Sequence, residues 1–170
     1  MYSDMEINAF FNNVGSYVGN DMYHKYEEDI KLLKSMNFKS FRTSMQWTRL
    51  LDQDGNINPE GAAWYHKLID CANENGIDIF MNMYHFDMPE YLVKRGGWQN
   101  REVVEAYANF VKKAMEEFGG KVKYWFTFNE PIVEPEQQFL LGTWYPYLHD
   151  FKQSINVQYN ICLLYTSDAA

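Results

Sequence analysis

The order of apolar and polar positions along the chain predicts helices that alternate with short strands. Over residues 24–36, Tyr26, Ile30, Leu32 and Leu33 recur at helical spacing, while charged residues occupy the opposite face. This arrangement is typical of a surface helix that packs one side against a core. The first helix is therefore predicted at 24–36.

Two further segments combine helical spacing with signals for helix ends. One begins at Pro59, a residue that suits the first turn of a helix, and is predicted to end just before Gly76. The other runs from Asn100, whose amide side chain suits an N-cap, to the glycine pair that follows Phe118. Both are predicted helices.

Three apolar runs lie between these helices, and they are predicted strands at residues 38–45, 77–86 and 121–129. A strand–helix–strand–helix–strand order requires parallel pairing with helical crossovers, because a tight turn cannot join parallel neighbours. The predicted fold class is therefore α/β with a parallel sheet.

Polar side chains gather where the predicted strands end. The pairs are Arg42 with Gln46, His85 with Asp87, and Asn129 with Glu130. A (β/α)8 barrel, the TIM barrel, builds its active site at this end of its strands. The chain is predicted to be part of such a barrel, covering about strands 2 to 4 and their helices. It would then form the N-terminal portion of a larger domain.

Composition and charge narrow the classes of function. The chain has 170 residues, of which 46% are hydrophobic, enough for one packed domain. Its net charge of −8 speaks against nucleic acid, whose binding needs basic patches. No run of about 18 apolar residues and no signal peptide is found, so no membrane partner and a cytoplasmic location are expected.

Cysteine and histidine positions do not suggest a metal centre. Cys71 and Cys162 lie far apart without metal-ligand spacing, and they are expected to be reduced thiols. The four histidines have no HExxH or paired-cysteine context, so no structural metal is expected. Neither of the glycine-rich phosphate-binding motifs, GxGxxG and GxxxxGK[ST], follows a predicted strand, so nucleotide binding has little support.

Glu130 is the candidate for acid catalysis, since it ends an apolar and aromatic strand. Glycoside hydrolysis commonly needs a protonated carboxylic acid near the leaving oxygen and a second carboxylate across the sugar. A dry surrounding favours the protonated acid, and Asn129 could hydrogen-bond a sugar hydroxyl. Alternatively, Asn129 caps a short helix that has Pro131 near its start. Taken alone, the Asn-Glu-Pro motif supports these two interpretations about equally.

Other polar residues have weaker claims. His85 could bind sugar hydroxyls or simply be a histidine satisfied near a loop. Arg42, within an apolar strand, could be buried and keep a catalytic carboxylate ionised, or form a surface ion pair. Trp47 is expected to pack beneath a cleft. Glu134 and Glu136 are rival carboxylates, but loop acids are usually solvated, so neither is expected to take part.

Five longer segments carry a more specific signal. In order along the chain they are DMYHKYEEDIKLLKSMNFKSFRTSMQWTRL (Asp21 to Leu50), DGNINPEGAAWYHKLID, NGIDIFMNMYHFDMPEYL, GGWQNREVVEAYANFVKKAMEEFG and KVKYWFTFNEP. Together they resemble glycoside hydrolase family 1, the β-glucosidase and 6-phospho-β-glucosidase family, over about residues 21–150. A match over several segments is far more specific than one motif.

The resemblance implies residue roles. Glu130 matches the family's general acid/base, and Asn129 matches its contact to the sugar 2-OH. His85 matches the histidine that binds the non-reducing sugar, and Arg42 matches the strand-end arginine near the nucleophile. The implied activity is that of a retaining β-glycosidase that uses a small-molecule β-glucoside or 6-phospho-β-glucoside and no cofactor.

Several features depart from the family pattern. Residues 1–20 lack the family's Gln-x-Glu-Gly segment, and the nucleophilic glutamate of the seventh strand is absent, so the chain alone is expected to be inactive. Phe86 stands where a tryptophan is usual, a variant that suits the phospho-glucosidase side. The segment CLLYTSDAA at 162–170 does not continue the family's helix and is predicted to be a non-native tail.

Two alternatives remain open from the sequence. One is another retaining glycosidase of the same barrel type, such as an endo-glucanase, because an Asn-Glu-Pro strand end is shared beyond one family. The other is a non-catalytic carbohydrate-binding or structural barrel fragment. A Glu-Asn-Gly strand end downstream would favour an enzyme.

Overall fold

The computed structural model describes residues 19–166, with side chains through residue 164. Most of the segment that lacks the Gln-x-Glu-Gly motif, residues 1–18, lies outside this range. So do residues 167–170 of the predicted non-native tail, whose residues 162–166 are helical.

Helices alternate with three short strands along the chain. The elements are α1 (Met22–Ser35), β1 (Ser40–Ser44), α2 (Trp47–Leu50), α3 (Pro59–Glu74), β2 (Asp78–Asn82), α4 (Glu90–Val93), a 3₁₀ turn (Gly97–Gln99), α5 (Arg101–Phe118), β3 (Tyr124–Phe126), α6 (Val133–Pro135), a π-helical turn (Glu136–Leu140) and α7 (Phe151–Thr166).

The three strands form one parallel sheet in the order β1–β2–β3. Arg42 pairs with Phe80, and Phe80 pairs with Tyr124, so the strands are in register across the sheet. The predicted α/β class with parallel pairing is confirmed. Because the strands are parallel, their C-terminal ends meet at one edge.

Helix ends agree closely with the sequence signals. The Asn100 side chain accepts a hydrogen bond from the Glu102 backbone N–H at 3.0 Å, which caps α5. At the end of α3, Gly76 has a φ of +71°, a conformation that costs a glycine little. The predicted helices are thus confirmed to within about two residues.

The second and third strands are shorter than predicted, since β2 ends at Asn82 and β3 covers only Tyr124–Phe126. Beyond them the pairing continues irregularly: the Asn129 N–H donates to the Tyr84 carbonyl at 2.9 Å. Side chains also replace ladder partners, as where the Tyr107 hydroxyl donates to the Thr127 carbonyl. The predicted strand bounds of 77–86 and 121–129 are therefore wrong.

The two faces of the sheet have different surroundings. Ile79 and Met81 of β2 are buried in a core shared with α3 and α5. On the opposite face Phe80 stacks on Tyr124, with ring centroids 4.5 Å apart. Tyr124 is 45% exposed and Phe126 is 42% exposed, so the described residues leave this face uncovered.

A close backbone contact between α2 and α3 generates a stability prediction. A Cβ on Gly61, in the first turn of α3, would lie 1.9 Å from the Arg49 carbonyl oxygen. We expect Gly61→Ala to lower the free energy of unfolding by about 2–3 kcal/mol, because the backbones must separate. The control is Gly120→Ala, where a Cβ meets no atom within 4 Å. Urea denaturation measures both variants, and equal losses would contradict the role of this contact.

Candidate active site

The C-terminal edge of the sheet brings together residues that are distant in sequence. Arg42 lies within β1 and Asn129 lies three residues beyond β3, yet the Arg42 Nη2 donates to the Asn129 Oδ1 at 2.8 Å. The Arg42 guanidinium also lies over the Phe126 ring, with the Cζ 5.6 Å from the ring centroid. Parallel strand order thus places two predicted site residues in direct contact.

This contact also decides how Asn129 is used. The N-cap of α6 is Ile132, without a side-chain hydrogen bond, so Asn129 does not cap a helix in the manner of the alternative interpretation. With its oxygen bonded to Arg42, the amide of Asn129 has its N–H donors available for another acceptor. An amide held in this way can donate to a hydroxyl oxygen.

Arg42 differs from its predicted surroundings in one respect. Its side chain is exposed, whereas the apolar strand suggested burial. Within residues 19–164 it forms no salt bridge, so the surface ion pair of the alternative interpretation is also absent there. The reason is that Arg42 lies on the face of the sheet that the described residues leave uncovered.

His85 lies at the same edge, beyond β2. Its Nδ1 is 3.4 Å from the Ser44 hydroxyl oxygen, and its ring is exposed. The Asp87 carboxylate accepts hydrogen bonds from the backbone N–H groups of His85 at 3.1 Å and Trp47 at 3.3 Å. Desolvation raises the Asp87 pKa, while these backbone donors lower it. Asp87 is therefore a turn-forming residue that orients His85.

Glu130 is presented to solvent. Its side chain is exposed and, among the described residues, makes no hydrogen bond or salt bridge. The dry surrounding predicted from the aromatic strand is thus wrong for this part of the chain, because β3 ends four residues earlier. Its φ of +42° lies in the left-handed region, which non-glycine residues rarely adopt.

The dry carboxylate is Glu134, contrary to the expectation that this loop acid is solvated. Its side chain is only 6% exposed. The Tyr84 hydroxyl donates to its Oε1, and the Trp98 indole N–H donates to its Oε2, both at 2.9 Å. Burial raises the pKa of Glu134 to about 7, against the opposing effect of the two hydrogen bonds. No local sequence signal distinguishes it from the half-buried Glu136.

The remaining predictions about this region concern packing and metals. Trp47 is buried and stacks on Phe110 with ring centroids 5.2 Å apart, which confirms that it packs beneath the site. Among the described residues, no three His, Cys, Asp or Glu side chains are placed to hold a metal ion. In the same range no helix has the length and apolar character needed to cross a membrane.

Ionisation of Glu134 makes stability depend on pH. The native carboxyl stays protonated up to about pH 7, whereas its ordinary pKa is 4.5. The native state therefore binds more protons between these values, and the free energy of unfolding falls as the pH rises through that window, by on the order of 3 kcal/mol. Glu134→Gln cannot ionise and should lose this component.

We expect urea denaturation at pH 5 and pH 8 to show a larger loss of stability in the wild-type chain than in Glu134→Gln. Asp87 is present in both proteins, so the difference between them reports the ionisation of Glu134 together with its interaction with Asp87. Parallel pH dependence in the two proteins would show that Glu134 is not ionising in a buried position.

Comparison with known proteins identifies the family. Residues 1–168 match the family model for glycosyl hydrolase family 1. The chain is 44% identical over 161 residues to the 6-phospho-beta-glucosidase GmuD of Bacillus subtilis, which covers 94% of this chain and 35% of that protein. It is 36% identical over 144 residues to Beta-glucosidase A of Acetivibrio thermocellus, covering 84% of this chain and 32% of that protein.

Solved structures show the same relationship in three dimensions. The family 1 b-glucosidase from Thermotoga maritima in complex with isofagomine lactam superposes with a TM-score of 0.90 at 30% identity, over 96% of this chain and 38% of that one. The psychrophilic beta-glucosidase BglU from Micrococcus antarcticus gives 0.86 at 32% identity, over 95% and 35%.

The chain spans about a third of the length of these relatives. The described strands accordingly form a part of the (β/α)8 barrel, as predicted from their order and strand ends. Because the family model matches nearly the whole of this chain, the chain belongs to glycosyl hydrolase family 1.

Proposed function

We propose that this chain supplies the acid/base half of the active site of a retaining β-glycosidase. The observation that carries the proposal is the strand-end group in which Arg42 holds Asn129 next to Glu130, on the same sheet edge as His85. Family membership supports this over the endo-glucanase alternative. The substrate would be a β-glucoside or a 6-phospho-β-glucoside.

Glu130 would act twice in the reaction. As a carboxylic acid it protonates the leaving aglycone oxygen while a second carboxylate attacks the anomeric carbon. As a carboxylate it then removes a proton from the water that hydrolyses the glycosyl-enzyme. Exposure of Glu130 fits this role, since the leaving group and water must both reach it. Asn129 would donate its amide N–H to the sugar 2-OH, and His85 would bind the non-reducing sugar.

The second carboxylate is not expected from this chain. Asp87 is engaged with two backbone N–H groups, and Glu134 is enclosed by Tyr84 and Trp98. Neither is available to attack an anomeric carbon. The nucleophile would come from a part of the protein beyond these residues, as the resemblance implies.

The relatives include both β-glucosidases and 6-phospho-β-glucosidases by name, so a preference for a phosphorylated sugar has to be argued from the sequence. GmuD and the Escherichia coli protein AscB are 6-phospho-beta-glucosidases by name, while the Thermotoga maritima protein is named a beta-glucosidase. Phe86, in place of the usual tryptophan, favours the 6-phosphosugar. The ring of Phe86 packs edge-on against Trp144, with centroids 5.3 Å apart, beside His85.

The acid/base role can be tested in a chimera in which residues 19–161 replace the matching third of GmuD. We expect this chimera to hydrolyse aryl 6-phospho-β-glucosides. Glu130→Gln should reduce kcat/KM about 10²- to 10⁴-fold for poor leaving groups and much less for activated aryl groups, because only the former need protonation. Glu136→Gln, a neighbouring carboxylate, is the control and should change kcat/KM less than threefold or so.

Two outcomes would contradict the proposal. One is a folded chimera without hydrolysis under conditions in which GmuD itself is active; this would favour the non-catalytic alternative. The other is an equal loss for both leaving-group classes in Glu130→Gln, because an acid that protonates the aglycone must discriminate between them.

The isolated chain gives an independent test. We expect the purified 170-residue protein to show no hydrolysis of aryl β-glucosides or their 6-phosphates above background, since half of the carboxylate pair is missing. The comparison is intact GmuD at equal concentration. Turnover near that of GmuD would show that the chain contains its own nucleophile.

A further inference from the structure

Glu134 is a buried carboxylate that the proposed reaction does not use. Its two oxygens accept hydrogen bonds from Tyr84 and Trp98, each at 2.9 Å, and the Gln138 amide lies 3.4 Å from the Oε1. Among the described residues no cation pairs with it. Burial of a carboxyl group is costly, and the hydrogen bonds from Tyr84 and Trp98 offset part of that cost.

The backbone connects Glu134 tightly to Glu130. The Val133 N–H donates to the Glu130 carbonyl at 2.9 Å, which closes a turn between the two acids. The buried Ser154 hydroxyl of α7 donates to the Pro135 carbonyl at 3.2 Å. The segment 130–135 is therefore short and held at both ends, so a shift of Glu134 is transmitted to Glu130.

Tyr84 connects Glu134 to the other side of the site. Its hydroxyl bonds Glu134, while its carbonyl accepts the Asn129 N–H at 2.9 Å and the Asn82 amide at 2.8 Å. Tyr84 also immediately precedes His85 in the chain. One side chain thus bridges the end of β2 and the loop that follows β3.

Trp98, in the 3₁₀ turn, is the third residue that contacts this group. Its ring meets Tyr84 edge-on, with centroids 5.2 Å apart. Its carbonyl accepts the amide of Asn160 from α7 at 2.7 Å. We name Tyr84, Trp98 and Glu134 the acid clamp. All three are buried, and their two hydrogen bonds join the segment after β2, the 3₁₀ turn and α6.

We propose that Glu134 is a positioning residue, whose hydrogen bonds to Tyr84 and Trp98 set the placement of Asn129 and Glu130 relative to His85. The importance of that placement for catalysis rests on the proposed function, but the linkage itself is a property of this chain. It can be measured without an enzyme assay.

Among the described residues, few groups that can titrate lie around the acid clamp. The segment after β2 presents Tyr84 and Asp87, and Tyr145 lines a cavity of about 110 Å³ beside Glu134. The 3₁₀ turn, the π-helical turn and α7 present neutral groups: Trp98, Gln138, Ser154 and Asn160. A change in the geometry of the acid clamp near pH 7 is therefore expected to reflect ionisation of Glu134.

The first experiment follows ¹⁵N resonances of the full 170-residue chain from pH 5 to pH 8.5. We expect the Trp98 indole N–H and the Asn129 backbone N–H to titrate with one shared midpoint near pH 7. Both titrations should vanish in Glu134→Gln and persist in the control Glu136→Gln. In Tyr84→Phe, which removes only the hydroxyl, Trp98 should still titrate and the shift change at Asn129 should become smaller, because only the backbone connection through residues 130–135 remains.

The proposal is overturned if Asn129 does not follow the Trp98 titration, or if its titration survives in Glu134→Gln and so belongs to another group. An inactive chimera with an intact shared titration would instead refute the proposed function alone. The two failures are thereby distinguished.

A second measurement, amide hydrogen exchange, tests the clamp without titration. We expect Glu134→Ala to speed exchange of the Asn129 amide about tenfold relative to strand amides such as Met81, because the loop loses its anchor. Glu134→Gln should restore protection, since Gln can accept from Trp98 and donate to the Tyr84 oxygen. Glu136→Ala should leave exchange unchanged. Equal exchange rates at Asn129 in all variants would overturn the proposal.

Discussion

In-register parallel pairing of three strands is the constraint on which the candidate site depends. Arg42 in β1 and Asn129 after β3 are 87 positions apart, yet they are in contact because the parallel strands run side by side to the same edge of the sheet. The helices between the strands bury the opposite face and so hold this register. A slip of one residue would turn Arg42 towards the helices and remove it from the site.

The structure separates two acids that the sequence places only four residues apart. Glu130 is exposed and free of side-chain partners among the described residues, which fits the proposed acid/base role. Glu134 is enclosed, and burial raises its pKa to about 7. Desolvation, and not residue type, therefore gives the two carboxylates different chemistry. Glu134 accepts hydrogen bonds from Tyr84 and Trp98, which suits it to holding the segment that carries Glu130.

Helices were predictable because their signals are local. The Asn100 cap, Pro59 at a helix start and Gly76 at a helix end act within one turn of the chain, and each lies where it was predicted. The ends of β2 and β3 were not predictable, because a strand ends where other groups replace the backbone hydrogen bonds between strands. After β2, the Asp87 carboxylate accepts backbone hydrogen bonds from His85 and Trp47. No residue pattern within the strand predicts this.

The sequence by itself determined the parallel α/β order, the family and the candidate residues Arg42, His85, Asn129 and Glu130. These follow from periodicity and from motifs, which are encoded in neighbouring residues. Tertiary structure alone decided that Arg42 orients Asn129, that Glu130 is exposed, and that Glu134 is buried against Tyr84 and Trp98. The reason is physical: burial and hydrogen-bond partnership arise from segments tens of residues apart, and no local pattern records which segments will meet.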